Sequence, residues 1–391
     1  MLEFILKYNV VLTVFLILLG TLRCYAGGSA SGSAEGDSDT EAIEAETRIL
    51  VVDGLGRERS VPRNPRAVIC SGPGALRLLS YLGAQDMVVA VDDMEGRRPR
   101  FDARPYSLAN PQFAALPLFG EFRGHDNPEL IAALDPQPQV IFKTFSTLGT
   151  DPRELERQTG IPVVVLNYGD LSSYRQDFYS ALRTMALVMD RQRRAEEVIA
   201  FFEAAIADLD GRTADIPREE KKSCYIGGIA YRGPHGFQST EPAYPPFMFV
   251  NADNVALEPG KRMAELEHAD VAKEQIVVWD PDVLFVDVST LQSDPQAGAV
   301  YELQNDPAYT GLTAVRAGEV YGVLPYNWYT SNYGSILADA YFVGKVLYPG
   351  RFRDIQPSAK ADEIYDFLLG EAVFQQLNQA FQEMVFRKIP L

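Results

Sequence analysis

Short, uninterrupted apolar runs recur in the first part of the chain, at residues 67–70 (AVIC), 87–91 (MVVAV), 139–142 (QVIF) and 162–166 (PVVVL). Runs of this length, rich in Val and Ile, suit strands buried on both faces. The segments between them keep helical spacing instead. Leu76, Leu79 and Leu82 share a face before Gly83, short helices are expected at 75–82 and 128–134, and a helix over 151–159 ends at Gly160. Strand, helix and strand joined by tight turns make βαβ units, which favour a parallel sheet. Residues 48–53 and 59–61 flank the turn Gly54-Leu55-Gly56-Arg57 and read as an opening hairpin. Residues 48–172 therefore predict one α/β lobe.

The period then changes. Leu182, Met185, Ala186 and Met189 mark one apolar stripe and Val198, Phe201, Phe202 and Ala205 another, with no Pro or Gly before Gly211. This predicts one long connecting helix over 173–210. Strands are expected again at 223–229, 283–288 and 320–323, with helices at 264–267, 271–279 and 300–304. Helices over 333–347 and 361–386 close the chain. Residues 211–391 thus predict a second α/β lobe.

A chain of 391 residues exceeds what one core usually fills, which agrees with two lobes. Its first segment has Lys7 before an apolar run at 10–19, and Cys24-Tyr25-Ala26 offers a cleavage point. The run is short for a bilayer span, so residues 1–26 read as a cleaved export signal, with an uncleaved anchor as the other reading. Residues 27–47, rich in Gly, Ser, Ala, Asp and Glu, read as a flexible acidic linker. Export would leave Cys70 and Cys224 in different lobes, expected as buried free thiols; no zinc or redox cysteine motif is present.

Composition is that of a globular protein, 47% apolar and 23% charged, which excludes a disordered or fibrous chain. The net charge of −17 argues against a nucleic-acid partner. Loss of the signal makes the chain one unit more acidic, since that segment holds Lys7 and Arg23 against Glu3.

Few catalytic motifs are present. There is no Walker A sequence, no Gly-x-Ser-x-Gly elbow and no pair of histidines at metal-ligand spacing on one helix. Ser71-Gly72-Pro73-Gly74 lacks a full phosphate fingerprint, and Pro73 removes a donor, so a tight strand–helix turn is the stronger reading over a phosphate cradle. Of the three histidines, His268 reads as a solvated helix end and His125 as part of a polar loop. His235 lies in a Gly- and Pro-rich loop with Tyr231, Arg232 and Phe237, where orienting groups for a ligand are close in sequence. Aromatic residues are 11% overall, yet the eight residues 326–333 hold Tyr326, Trp328, Tyr329 and Tyr333 among Asn and Thr. That mixture suits a cleft wall better than a core. Arg97, Arg98, Arg100 and Arg104 read mainly as a solvated basic loop; Arg123 and Arg232, each at a strand's end, are the better candidates to meet an anion.

Several segments now resemble a known family in order. They are Pro65-Arg66-Ala67-Val68-Ile69-Cys70-Ser71-Gly72-Pro73-Gly74, Leu82-Gly83-Ala84, Asn127-Pro128-Glu129, Leu134-Asp135-Pro136, Thr159-Gly160-Ile161-Pro162, Trp279-Asp280-Pro281-Asp282 and Ala317-Gly318-Glu319-Val320-Tyr321. The chain resembles the periplasmic solute-binding proteins of ABC importers for ferric siderophores, haem and cobalamin, the helical-backbone type called class III.

The resemblance implies an α/β fold of two Rossmann-like lobes joined by one long connecting helix, with a ligand cleft between the lobes and little hinge closure. It implies a non-enzymatic, monomeric protein that captures a metal chelate, with iron as cargo and no resident cofactor. It further implies docking to an inner-membrane ABC permease dimer through one acidic residue per lobe, here Glu129 and Glu274. The expected ligand contacts are Arg123, Tyr231, Arg232, His235, Phe237, Tyr244, Asn327, Trp328 and Tyr329. The long 231–247 loop and the dense aromatics after Leu324 depart from the family, so the ligand is not expected to be a common hydroxamate siderophore. A haem or corrinoid ligand with His235 as an axial group is an alternative. Capture of a bare metal ion is disfavoured by the histidine count, and a metallocluster enzyme on this scaffold lacks its cysteines. A receptor for another protein is the remaining reading.

Overall fold

The computed structural model describes residues 48–97, 100–257, 267–294 and 296–391. The signal at 1–26, the linker at 27–47, Arg98 and most of the helix expected at 264–267 lie outside the described residues.

Strands β1 (Arg48–Val52) and β2 (Glu58–Pro62) form the antiparallel opening hairpin. The first sheet follows with β3 (Val68–Ser71), β4 (Val88–Asp92), β5 (Leu118–Glu121), β6 (His125–Asp126), β7 (Val140–Thr144) and β8 (Val163–Leu166). Its spatial order is β6-β5-β4-β3-β7-β8, parallel throughout except for β5 with β6. The second half contributes β9 (Ser223–Gly227), β10 (Ser239–Thr240), β11 (Asp253–Asn254), β12 (Ala269–Asp270), β13 (Val283–Asp287) and β14 (Val320–Val323). Four of these make an all-parallel sheet of order β11-β9-β13-β14, while β10 pairs with β12. Every residue of β3, β7, β8 and β13 is buried, as their unbroken apolar runs require.

The two-residue period of a strand decides where each side chain goes. Val68 and Cys70 of β3, Cys224 and Ile226 of β9, and Val283 and Phe285 of β13 all point into one core shared by both halves. Ile69 and Ile141 face a smaller cluster behind the first sheet. Tyr225, Leu284 and Val286 face another behind the second. Both cysteines are buried and free.

The connecting segment differs from expectation. It is two helices, Arg175–Met189 and Gln192–Thr213, folded back as a hairpin. Asp190 breaks the run with φ 54, and Arg191 N–H bonds back to Ala186. Aspartate tolerates this left-handed conformation better than most residues, so the stop needs no glycine. Arg183 grips Glu196 across the hairpin through two bonds of 2.7 and 2.8 Å. The first helix packs on β1 and β8, the second on the Tyr333–Leu347 helix of the other half.

The closing helix expected at 361–386 is also divided. Pro357–Leu369 ends at Gly370, φ 78, and Phe374–Ala380 follows. These helices return to the first lobe: Phe381 packs on Phe101 at 5.6 Å, and Pro357–Leu369 packs on the Ala75–Tyr81 helix. Arg194 of the hairpin donates to the Tyr81 carbonyl at 2.9 Å and also reaches the Phe367 carbonyl. One continuous core thus runs beneath both sheets.

Candidate ligand cleft

In open parallel sheets, ligands sit beyond the carboxyl ends of the strands, where successive connections diverge. The first sheet diverges at β3, which has β4 on one side and β7 on the other. The loops that leave β7, β8, β9 and β14 meet around a cleft of about 700 Å3. Residues 145–147 follow β7, residues 167–174 follow β8, Ile229, Ala230 and Tyr231 follow β9, and Tyr326, Asn327, Thr330 and Ser331 follow β14. Glu241, Glu267 and His268 complete the side belonging to the second half. Both halves therefore supply walls, and both do so from strand ends.

Beside the cleft, residues 326–333 cross onto the first lobe. Arg77, on the Ala75–Tyr81 helix, is fully buried and has no carboxylate partner among the described residues. Its guanidinium donates to the carbonyls of Ser331 at 2.9 Å and of Trp328 and Tyr329 at 3.3 Å, and to the Tyr168 hydroxyl. The Tyr106 ring lies 5.0 Å away, and its electron-rich face helps hold the charge. Tyr168 donates to the same Ser331 carbonyl at 2.7 Å and stacks on Tyr333 at 5.0 Å. The Tyr329 hydroxyl donates to Asp92 and accepts from the Arg123 N–H at 3.1 Å. Gly72 and Gly74, φ 83 and 82, bring the β3 turn against this segment. A Cβ at Gly74 would overlap the Tyr168 ring and lie 2.7 Å from Thr330 Cγ2. The turn at 71–74 is thus a site of close inter-lobe packing.

Several acids nearby are held partly protonated. Burial pushes Glu241 up to about 8, with repulsion from Glu267, Asp287 and Asp170 adding to it and the Tyr326 hydroxyl bond opposing it. Burial likewise raises Asp92 to about 7 against the Tyr329 hydroxyl bond, and Asp287 to about 7 against the N–H of Ser289. Asp339, under Tyr244 and Leu324, is raised further for the same reason.

Only some expected contacts meet at this cleft. Tyr231 and Asn327 line it, and the Asn327 amide donates to the Ala230 carbonyl at 3.1 Å. Phe237 and Tyr244 do not: both are fully buried, Phe237 against Tyr225 and Tyr309, Tyr244 against Phe247 and Asp339. Trp328 packs on the core, and with Tyr329 it serves the joint between the lobes. Arg123 and Arg232 are exposed and lie over Phe122 and Tyr231, outside the lining. The histidine roles are exchanged. His235 is off the lining with its Nε2 2.7 Å from the Tyr231 carbonyl, whereas His268 lines the cleft, stacked under Tyr231 at 4.2 Å. Burial lowers the His268 pKa, favouring the neutral ring. Two of the four arginines of the run are paired: Arg97 with Asp93, and Arg104, buried, with Glu95 at 3.2 Å and Asp102 at 2.9 Å, while Arg100 is exposed over Phe101.

Sequence reasoning missed Arg77, Tyr168, Asp170, Tyr174, Asp177 and Glu241. An arginine inside the otherwise apolar helix ALRLLSY was the available signal for Arg77, and the strand ends after β7 and β8 were the signal for the cleft. Among the described residues no group of three or more His, Cys, Asp or Glu side chains is placed to hold a metal ion. Glu129 and Glu274 are both exposed, in the first turns of the Pro128–Ala132 and Lys273–Trp279 helices. Leu130 and Val278 stand exposed beside them.

The chain is 23% identical over 339 residues to the petrobactin-binding protein YclQ of Bacillus subtilis strain 168, covering 82% of this chain and 93% of that one. Among solved structures, a periplasmic solute-binding protein from Veillonella parvula DSM 2008 matches with TM-score 0.65 and 16% identity, covering 87% and 98% of the two chains. The molybdate-binding protein MolA of Haemophilus influenzae matches with TM-score 0.60 and 18% identity over 83% and 98%. The YclQ crystal structure itself matches with TM-score 0.51 and 17% identity over 82% and 98%. Residues 68–326, from β3 to just past β14, match the family model described as periplasmic binding protein. The chain belongs to that family, the periplasmic binding proteins.

Proposed function

We propose that this chain captures a ferric siderophore-type chelate outside the cytoplasmic membrane and delivers it to an ABC permease. The observation that carries the reading is the 700 Å3 cleft at the strand ends of both sheets. Its volume suits a ligand of siderophore size, and open aromatic faces with a few polar groups are the usual lining of such sites. The petrobactin-binding relative supports the same ligand class. In this reading the metal arrives as cargo inside its chelator. A haem or corrinoid ligand finds less support: His235 is off the lining, and the His268 Nε2 is engaged with Ser239 at 3.0 Å.

Delivery needs a docking face. Glu129 and Glu274 stand exposed on different lobes and would pair with permease arginines, setting encounter and orientation more than affinity. The protein acts as a monomer after removal of residues 1–26. Two measurements test the reading. Titration of the purified chain with ferric chelates, followed by intrinsic fluorescence, gives one-to-one binding. Glu129→Ala with Glu274→Ala leaves that affinity unchanged but abolishes uptake in cells. Retained uptake in the double variant would remove the docking assignment, and failure of every chelate to bind would remove the capture reading.

A further inference from the structure

The charge lining the cleft is one-sided. Asp170, Asp177 and Glu267 face it, as does Glu241, held largely protonated near neutral pH and able to ionise beside a cation, and among the described residues no Lys or Arg does. Of the arginines close by, Arg232 lies exposed over Tyr231 outside the lining, and two others are committed elsewhere. Arg77 is sealed behind Tyr168 and Ser331 with its Nη atoms bonded. Arg175 turns to the Leu171 carbonyl at 2.9 Å and to Glu203 at 3.8 Å. Glu241 is only 9% exposed; the Tyr326 hydroxyl donates to one of its oxygens, and the described residues supply no donor to the other. Two exposed aromatic side chains, Phe145 and Tyr174, line the same cleft, while the Tyr231 ring already stacks on His268 and carries Arg232 over it.

Carboxylates and open aromatic faces attract the same kind of group. A carboxylate attracts a cation through Coulomb interaction that strengthens as water leaves, and a phenol or phenyl face does so through its quadrupole. The same acids act against a polyanion, which would have to be desolvated beside like charge. Resting on the capture reading above, we infer that the cleft selects a ferric chelate whose periphery carries a protonated amine, and that it rejects polyanionic chelates of the catecholate type. This reverses the preference that Arg123 and Arg232 suggested from sequence.

Three ferric chelates of different charge test the inference on the purified, full mature chain. Ferrioxamine B has a pendant ammonium, its N-acetyl derivative keeps the same iron centre without the charge, and a ferric tris-catecholate is strongly anionic. The ammonium form is expected to bind roughly tenfold or more tighter than the acetylated form, in the range measured for close charge pairs. Asp177→Asn and Glu241→Gln are each expected to shrink that ratio several-fold. Asp177 sits on a half-exposed helix turn, so its variant keeps the test open if the Glu241 variant folds poorly. Equal affinity for the first two chelates, or tighter binding of the catecholate, overturns the inference while the capture reading stands. Binding of none of the three overturns the capture reading, and the inference with it.

Discussion

Replacing Arg77 with Met tests how the lobes are held together. The substitution keeps the length of the side chain and removes the buried charge. Accounting for the freed carbonyls decides the expected size. Ser331 O keeps the Tyr168 hydroxyl, and Trp328 O keeps the Asn332 amide at 3.1 Å. Tyr329 O loses its one bond from the described residues. Hydrogen bonds from a charged donor are worth about 1.5–3 kcal/mol each, and an orphaned buried acceptor costs about 1–3 kcal/mol. Part of this is offset because an arginine no longer has to be desolvated. A net loss of about 2–3 kcal/mol is expected. An unfolding entropy of about 2.1 cal/mol/K per residue over roughly 330 residues gives ~0.7 kcal/mol/K, so Tm falls by roughly 3–4 °C in calorimetry. The local signature is more specific. Amide exchange at residues 327–332 speeds up, because the clamp on that segment is gone, while β7 and β13 keep their protection. Arg77→Lys recovers little, since a point ammonium cannot reach carbonyls on two sides as a planar fork does. If Arg77→Met left both Tm and exchange at 327–332 unchanged, the reasoning about the clamp would be wrong.

The raised acids give a pH dependence with a definite sign. Asp92, Asp287 and Glu241 have folded pKa values of about 7, 7 and 8, above the usual range near 4 for unfolded carboxylates. The folded state then holds more protons than the unfolded one between those limits, so stability falls as pH rises from about 5 to 8. Glu241→Gln should flatten part of that slope in thermal melts, and an unchanged slope counts against Glu241 as a contributor. Asp190→Gly should be neutral or stabilising by up to about 1 kcal/mol, and Asp190→Val destabilising by about 1–2 kcal/mol, because only glycine meets φ 54 without strain; equal denaturant midpoints for the two would contradict the left-handed stop. Gly74→Ala forces a methyl group into the Tyr168 ring and Thr330, and should cost at least about 2 kcal/mol in chemical denaturation.

The parallel sheets were legible because strands buried on both faces leave unbroken apolar runs, and β3, β7, β8 and β13 all do. The hairpin break was hidden because Asp190 looks like any polar position on a helix; its left-handed φ leaves no trace in composition. The aromatic segment misled for a different reason. Its density was visible, but the direction of each side chain depends on the positive φ of Tyr329 and Thr330, 48 and 63. Its partner Arg77 lies some 250 residues away in sequence. The loop neighbours of Phe237 suggest a cleft wall. The residue is core because Gly227 leaves space for its ring, where a Cβ would collide. Of the cleft, Tyr231 and Asn327 were found at strand ends, while its acids were missed because acidic residues are common throughout a chain of charge −17. The same number now has a local meaning, since part of that charge faces the cleft.

Native mass spectrometry of the chain purified from its host under iron limitation tests the central claim most directly. The account predicts a one-to-one adduct whose added mass carries the iron isotope pattern and an organic chelator, released when the cleft variant Asp177→Asn is exchanged into buffer at high salt. An apoprotein alone, or an adduct without metal, would contradict it.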